Sequence, residues 1–110
     1  MVGVGLGELE QWVLLAVLRL GDGAYAVAVR EEIHARTGRD VARGAVYVTL
    51  DRLERKGLVR SQLGPPTAER GGKAKRLYLL AAPGLQALKQ ALHGTQALLE
   101  GLPGSLGGPA

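Results

Sequence analysis

Apolar residues early in the chain recur at the three-four spacing of one helical face. Between Gly7 and Leu20 they fall at Leu9, Trp12, Val13, Ala16, Val17 and Leu20. This predicts a first helix, ended by the Gly21-Asp22-Gly23 triplet. A second helical stretch runs from about Ala24 to Thr37, with Ala26, Val29 or Val27, and Ile33 inward and Gly38 as terminator. Its charged run, Arg30-Glu31-Glu32, is expected to face water. After a connector from Arg39 to Ala42, the stretch RGAVYVTLDRLERKGLV predicts a third helix ended by Gly57. Val46, Leu50 and Leu53 form its core face. The opposite side of the wheel collects Gly44, Ala45, Val48, Asp51, Arg52 and Arg55, with Arg43 and Tyr47 at one flank.

The pattern then changes period. Leu58 to Leu63 and Arg76 to Leu80 have strand length and β-forming residues, with Arg76, Tyr78 and Leu80 on one face and Leu77 and Leu79 on the other. They predict a hairpin whose long tip, GPPTAERGGKAK, is flexible and basic. Pro83 suits the first turn of a last helix, where its missing N–H costs nothing. Along that helix Leu85, Leu88, Leu92, Thr95, Leu99 and Leu102 form a heptad seam. From Pro83 to Glu100 it would span about 27 Å at 1.5 Å per residue. A seam that continues beyond a small domain usually meets a copy of itself, so a homodimer is expected. The tail GLPGSLGGPA has no periodicity and is expected to be disordered.

Composition narrows the chemistry. The chain has 110 residues and no Cys, which excludes disulfides and thiolate metal sites. His34 and His93 lie in different helices without acidic partners at ligand spacing, so no metal or other cofactor is expected. The segment ERGGKA is not a phosphate loop: Thr67 stands where the first glycine is required, Ala74 where Ser or Thr would bind magnesium, and a strand follows. No nucleophile-base pair can be named, so an enzyme is not expected. The start MVGVGLGELE lacks the basic region of a signal peptide. The longest apolar run, Trp12 to Leu18, is too short to span a bilayer. A soluble, cytoplasmic chain with no membrane partner is the expectation.

Charge points to a polyanion. Net charge is +4, yet between Arg36 and Arg76 there are 11 Lys or Arg against 4 Asp or Glu, whereas the remainder holds 3 basic and 6 acidic residues. A solvated surface could carry such a footprint, and so could a face that meets nucleic acid. Three helices, a basic hairpin and another helix is the order of a winged helix-turn-helix, whose third helix enters the major groove. That assignment accounts for the run Val46-Tyr47-Val48-Thr49, β-branched or aromatic throughout and poor helix material. A groove-reading face needs small side chains for close approach, methyls for thymine, and hydroxyls or Arg for phosphates and guanine edges.

The chain resembles the PadR-like family of winged-helix transcriptional regulators over roughly residues 7 to 95. The resemblance is carried by GELEQWVLLAVL, GAYA, TGRDVARGAVYVTLDRLERKGLV, ERGGKAKRLYLL and Gly84 opening the last helix. It implies a mainly α fold with a small β-hairpin: a winged helix-turn-helix over 1–82, a C-terminal dimerisation helix over 83–100 and a tail over 101–110. It also implies a dimeric repressor of the short, single C-terminal helix type, which releases double-stranded DNA when a small aromatic effector binds. Position by position, Tyr47 would contact a phosphate, and the wing motif falls on Arg70, Gly71, Gly72, Lys73, Lys75 and Arg76. Arg43, Gly44, Ala45, Val48 and Arg52 complete the expected DNA-binding set. Leu85, Leu88, Leu92, Thr95 and Leu99 form the expected dimer interface. Trp12 is either core or a stacking surface for a planar effector, an ambiguity that Tyr25 and Tyr78 share. Two positions depart from the pattern. Ala42 stands where a Ser or Thr would cap the third helix, a loss of about 1 kcal/mol, and Ala81 replaces a Thr before the last helix. A winged-helix module that binds a protein partner and no DNA is the alternative, for which the wing cations would be superfluous.

Overall fold

The computed structural model describes residues 5–66 and 74–104. Within them the order is α1 (Glu8–Leu20), a 3-10 turn (Gly21–Gly23), α2 (Ala26–Thr37), α3 (Arg43–Arg55), β1 (Val59–Pro66), β2 (Ala74–Leu80) and α4 (Ala82–Leu99). The fold is a winged helix-turn-helix with one added C-terminal helix. α2 begins two residues later than its apolar pattern, and the two strands run further toward the tip than Leu63 and Arg76. They pair antiparallel from Val59 opposite Leu80 to Leu63 opposite Arg76, with an irregularity before Pro66 meets Ala74. The rest of the predicted wing tip, with Arg70 and Lys73, and most of the predicted tail lie outside the described residues.

α1 is the centre of the domain and packs against α2, α3, β2 and α4. Its apolar arc is therefore wider than one stripe, and Leu14, off the predicted face, is fully buried beside Val13, Ala16 and Val17. Val29 and Ile33 of α2 join Val46, Leu50 and Leu53 of α3, Leu58, Val59 and Leu88 in the same cluster. The run Arg30-Glu31-Glu32 does not face water as a unit. Arg30 Nε donates to the Val41 carbonyl at 2.6 Å, and Glu32 takes Arg19 at 2.8 Å and Arg36 at 3.2 Å, leaving Glu31 exposed.

Backbone contacts aim the later elements. Gly57, at φ 77°, ends α3 in a left-handed turn, with its N–H on the Glu54 carbonyl and that of Leu58 on the Leu53 carbonyl. The Leu58 carbonyl in turn accepts the Ala81 N–H at 3.0 Å, which seats the start of α4. The Tyr78 N–H donates to the Ala24 carbonyl at 2.8 Å, stitching the base of the wing to the entry of α2.

The start of the predicted seam is used internally. Leu88 is 2% exposed in the domain's own core, because the docking of Ala81 and Gly84 on Leu58 turns that face of α4 inward. It is not available to a second chain. Leu85, Leu92 and Leu102 stay partly exposed, Thr95 is exposed, Leu99 is half-buried, and Leu98, outside the seam, is 82% exposed.

Candidate functional site

α3 carries two faces, and burial separates them residue by residue. Val46, Leu50 and Leu53 lie in the core, whereas Tyr47 and Val48 are 48% and 53% exposed. Thr49 is only 4% exposed, so the β-branched run is half inward and Thr49 presents no hydroxyl to solvent. Gly44 is exposed with open space at its Cα, and Ala45 is half-buried against the core. The helix starts at an extended Ala42 with no side-chain cap and no acidic residue in its first turn. Its first N–H groups and the positive end of its dipole are thus open to an anion.

Of the α3 cations, Arg55 pairs with Asp51 at 3.2 Å, while Arg43 and Arg52 are exposed and form no ion pair among the described residues. Lys56 is engaged elsewhere. Its Nζ donates to Glu10 Oε2 at 2.9 Å, while Glu10 Oε1 accepts the Gly7 N–H at 3.0 Å. Burial opposes ionisation of Glu10, but the Lys56 hydrogen bond, the Gly7 N–H and the charges of Lys56 and Arg52 together hold its carboxyl below the usual range.

A chain of hydrogen bonds ties α3 to the wing. Arg76 Nη1 donates to Ser61 Oγ at 3.0 Å, and Ser61 Oγ donates to Glu54 Oε2 at 2.6 Å. Ser61 and Tyr78 are cross-strand partners, so this link runs along the strand face that looks toward α3. Lys75, grouped by sequence with the flexible tip, belongs to β2, and its Nζ lies 3.9 Å from the centroid of the Tyr25 ring. A cleft of about 260 Å³ opens between these parts, lined by Tyr25, Tyr47, Tyr78, Lys75, Arg76 and the start of α2. Sequence reasoning left Tyr25 and Tyr78 open between core and a stacking surface and did not bring them together. The signal available was that the chain has only three tyrosines, one beside each element that meets here.

Trp12 lies apart from this face. It is half-buried in a mainly apolar cleft of about 180 Å³ between α1 and α2, beside Leu15, Ile33 and Thr37. The Arg39 guanidinium sits 5.1 Å from the indole centroid and also pairs with Glu8. Among the described residues, no group of three His, Cys, Asp or Glu is placed to hold a metal ion, and no single helix is long and apolar enough to cross a membrane.

Comparison with known proteins agrees with this architecture. The model of the Transcriptional regulator PadR-like family matches residues 14–90 of the 110. A comparison with curated proteins found no match. Among solved structures, a PadR family transcription regulator from hypervirulent Clostridium difficile is similar with a TM-score of 0.71, covering 84% of this chain and 91% of its own at 18% identity. A PadR-like transcription factor from Bacteroides fragilis has a TM-score of 0.68 and covers 84% of each chain at 23% identity. The complex structure of hsRosR has a TM-score of 0.67, covering 89% of this chain and 77% of its own at 23% identity. At these identities the structural likeness speaks to the fold, and the family match, which covers more than half of the chain, speaks to membership. The family is one of regulators and not of enzymes. This chain belongs to the PadR-like family of transcriptional regulators.

Proposed function

We propose that the protein is a sequence-specific DNA-binding repressor acting as a homodimer, with α3 in the major groove and the wing on the flanking backbone. The observation that carries this reading is the split of α3. Tyr47 and Val48 stand outward beside Arg43 and Arg52, neither in an ion pair with a described residue, on a helix whose other face is core. Exposed apolar residues are ordinary on a surface by themselves, so it is their juxtaposition with Arg43 and Arg52 on one face that supports the reading. Gly44 and Ala45 allow close approach, Val48 offers methyls to a base edge, and Tyr47 with Lys75 and Arg76 meets phosphates. Arg70 and Lys73 belong to the same proposal by sequence alone.

Residues 1–82 form the DNA-binding unit in this reading, 83–100 the dimerisation helix and 101–110 a tail. The dimer uses the part of α4 beyond Leu88 together with Leu85 and the turn that follows the helix, where Leu85, Leu92, Leu98 and, past the helix end, Leu102 leave apolar surface uncovered. Two half-sites then repeat about one helical turn apart, roughly 34 to 36 Å. A small aromatic effector is assigned to the apolar Trp12 cleft, where it would compete with Arg39 for the indole face.

The test is fluorescence anisotropy of a labelled duplex from upstream of the protein's own gene beside a scrambled one, titrated across salt. Tight binding to the first with a steep salt slope, and much weaker binding to the second, is expected. No binding to either at low salt refutes the reading and favours a module that docks on protein.

A further inference from the structure

The turn between α2 and α3 is fastened to both helices that precede it. Gly38, at φ 76°, ends α2, and each of the next three residues carries a tether. The Arg39 N–H donates to Thr37 Oγ1 at 3.1 Å, and Thr37 Oγ1 donates to the Ile33 carbonyl at 2.7 Å. Asp40 lies 3.7 Å from Arg30 Nη2 and 3.9 Å from His34 Nδ1, and the Val41 carbonyl accepts Arg30 Nε at 2.6 Å. These partners belong to α2. The Arg39 side chain instead reaches across to α1, where its guanidinium lies over the Trp12 indole, 5.1 Å from the centroid, and pairs with Glu8 in the first turn.

A guanidinium stacked on an indole beside a carboxylate is a planar cation held by an aromatic face and a counter-charge. The Arg39 side chain is 53% exposed, and contacts of this kind are individually weak at a surface, so an outside group of the same chemistry can take its place. The indole also borders the apolar cleft of about 180 Å³ that Leu15, Ile33 and Thr37 line. That volume is well below the roughly 300 Å³ at which pockets for drug-sized ligands begin, so it suits a single ring. Glu32, at the rim, is already shared by Arg19 and Arg36. The carboxylate that displacement of Arg39 sets free is therefore Glu8, which has no other ion pair among the described residues. A ring with an attached planar cation matches the cleft, the indole and Glu8 together.

What moves with Arg39 is the start of α3. Ala42, three residues on, is the N-cap of that helix and gives it no side-chain cap, so the first turn depends on how the residues before it are held. We propose that Trp12 and Glu8 form a site for a planar cation which Arg39 occupies as an internal ligand, and that an aromatic amidinium displaces Arg39 and loosens the start of α3. The proposal rests on the readings of the Trp12 cleft as an effector site and of α3 as the DNA-binding helix. It adds to them the charge of the effector and the route by which it acts. Linkage makes the effect mutual: the factor by which the ligand weakens DNA binding is the factor by which DNA weakens ligand binding.

Trp12 is the only tryptophan of the chain, so its fluorescence reports on the site directly. Benzamidine, one ring with an amidinium, is titrated against the full chain, with benzoate at matched ionic strength as the probe of opposite charge. Anisotropy of a labelled random-sequence duplex is read under the same conditions and across salt for the parent chain, Arg39→Gln and Arg39→Lys, with thermal melts of each to confirm folding. Benzamidine should change Trp12 emission to saturation where benzoate does not, and should weaken duplex binding about 2- to 5-fold, the range of an exposed cation–π contact. Arg39→Gln should bind benzamidine about 2- to 5-fold more tightly, bind the duplex more weakly with an unchanged salt slope, and lose the response of duplex binding to benzamidine. Arg39→Lys, which keeps a cation for the indole, should lie between the two. Saturation of Trp12 with no change in duplex binding, or a response that persists in Arg39→Gln, overturns the route through Arg39 and leaves the effector site standing. Emission that answers to benzoate and not to benzamidine overturns the planar-cation site but not an aromatic effector. A salt slope lowered by about 0.9 in Arg39→Gln makes Arg39 a phosphate contact and also overturns the proposal. A parent chain that binds no duplex overturns the DNA reading and this proposal with it.

Discussion

Replacing Gly84 by alanine tests how α4 is fixed to the winged domain. A Cβ at position 84 would lie 2.0 Å from the Leu58 carbonyl oxygen, 1.0 Å inside the 3.0 Å that real Cβ atoms keep, and 2.9 Å from the Leu58 carbonyl carbon. Both neighbours are backbone, so no side chain can rotate away. Leu58 cannot retreat easily, because its N–H is held on Leu53 at the end of α3 and its carbonyl accepts Ala81. α4 must shift instead, which strains or breaks the Ala81 hydrogen bond and draws Leu88 from the core. Overpacking of this kind costs about 1 to 3 kcal/mol and the hydrogen bond about 1 kcal/mol more, against a helix-propensity gain of at most about 1 kcal/mol. A net loss of about 2 kcal/mol lowers the melting temperature by roughly 10 °C in a domain of this size. Gly94→Ala is the control: it lies in the same helix with nothing within 4 Å of its Cβ, so it should raise stability by about 0.5 to 1 kcal/mol. Thermal melts by circular dichroism at one fixed chain concentration compare the two. A Gly84→Ala protein as stable as Gly94→Ala would refute the close approach to Leu58.

The remaining predictions concern the faces around this frame. Tyr47→Phe should weaken binding to all duplexes alike, whereas Val48→Ala should change preference at one base pair, which selection from a randomised duplex pool would read. Ala42→Ser should cap α3 and add about 1 kcal/mol in urea unfolding, since Ala42 already has the extended backbone of an N-cap. Glu10 has a depressed folded pKa, so its contribution to stability is complete above the unfolded carboxylate range and lost as pH falls through the folded value. The melting-temperature gap between the parent chain and Glu10→Gln should accordingly close on acidification, and a gap independent of pH would exclude the Lys56 pair as its source. Leu98→Asp should yield monomers in light scattering with the melting curve of the domain intact, whereas Leu88→Ala should destabilise the fold by about 2 to 5 kcal/mol through a core cavity.

Much of the site was legible in sequence because local spacing has few solutions. The offsets of Val46, Leu50 and Leu53 leave Tyr47 and Val48 on the outer face of any helix drawn there, and the structure exposes both. The sequence assigned Thr49 to neither face, because it sits at the edge of the core arc, where wheel position alone does not decide burial; the structure buries it. Leu14 was missed for a related reason. A one-stripe wheel assumes one neighbour, and α1 has four.

Taken alone, the sequence determined the helix stripes, the glycine that ends α3, the change of period at the wing and the concentration of positive charge between Arg36 and Arg76. Each depends on residues a few positions apart, whose geometry is set by the backbone. Tertiary structure decided which groups meet across long separations. It brought Tyr25, Tyr47 and Tyr78 to one cleft through the Tyr78–Ala24 hydrogen bond, joined Lys56 to Glu10, and carried Arg76 through Ser61 to Glu54. It also divided an even leucine seam into Leu88, which the domain buries, and Leu92, which it leaves partly exposed beside Leu98. Periodicity places these side chains on a helix but carries no information on where the helix is docked. That depends on the Ala81 hydrogen bond to Leu58 and the close approach of Gly84 to the same backbone, which no local pattern specifies.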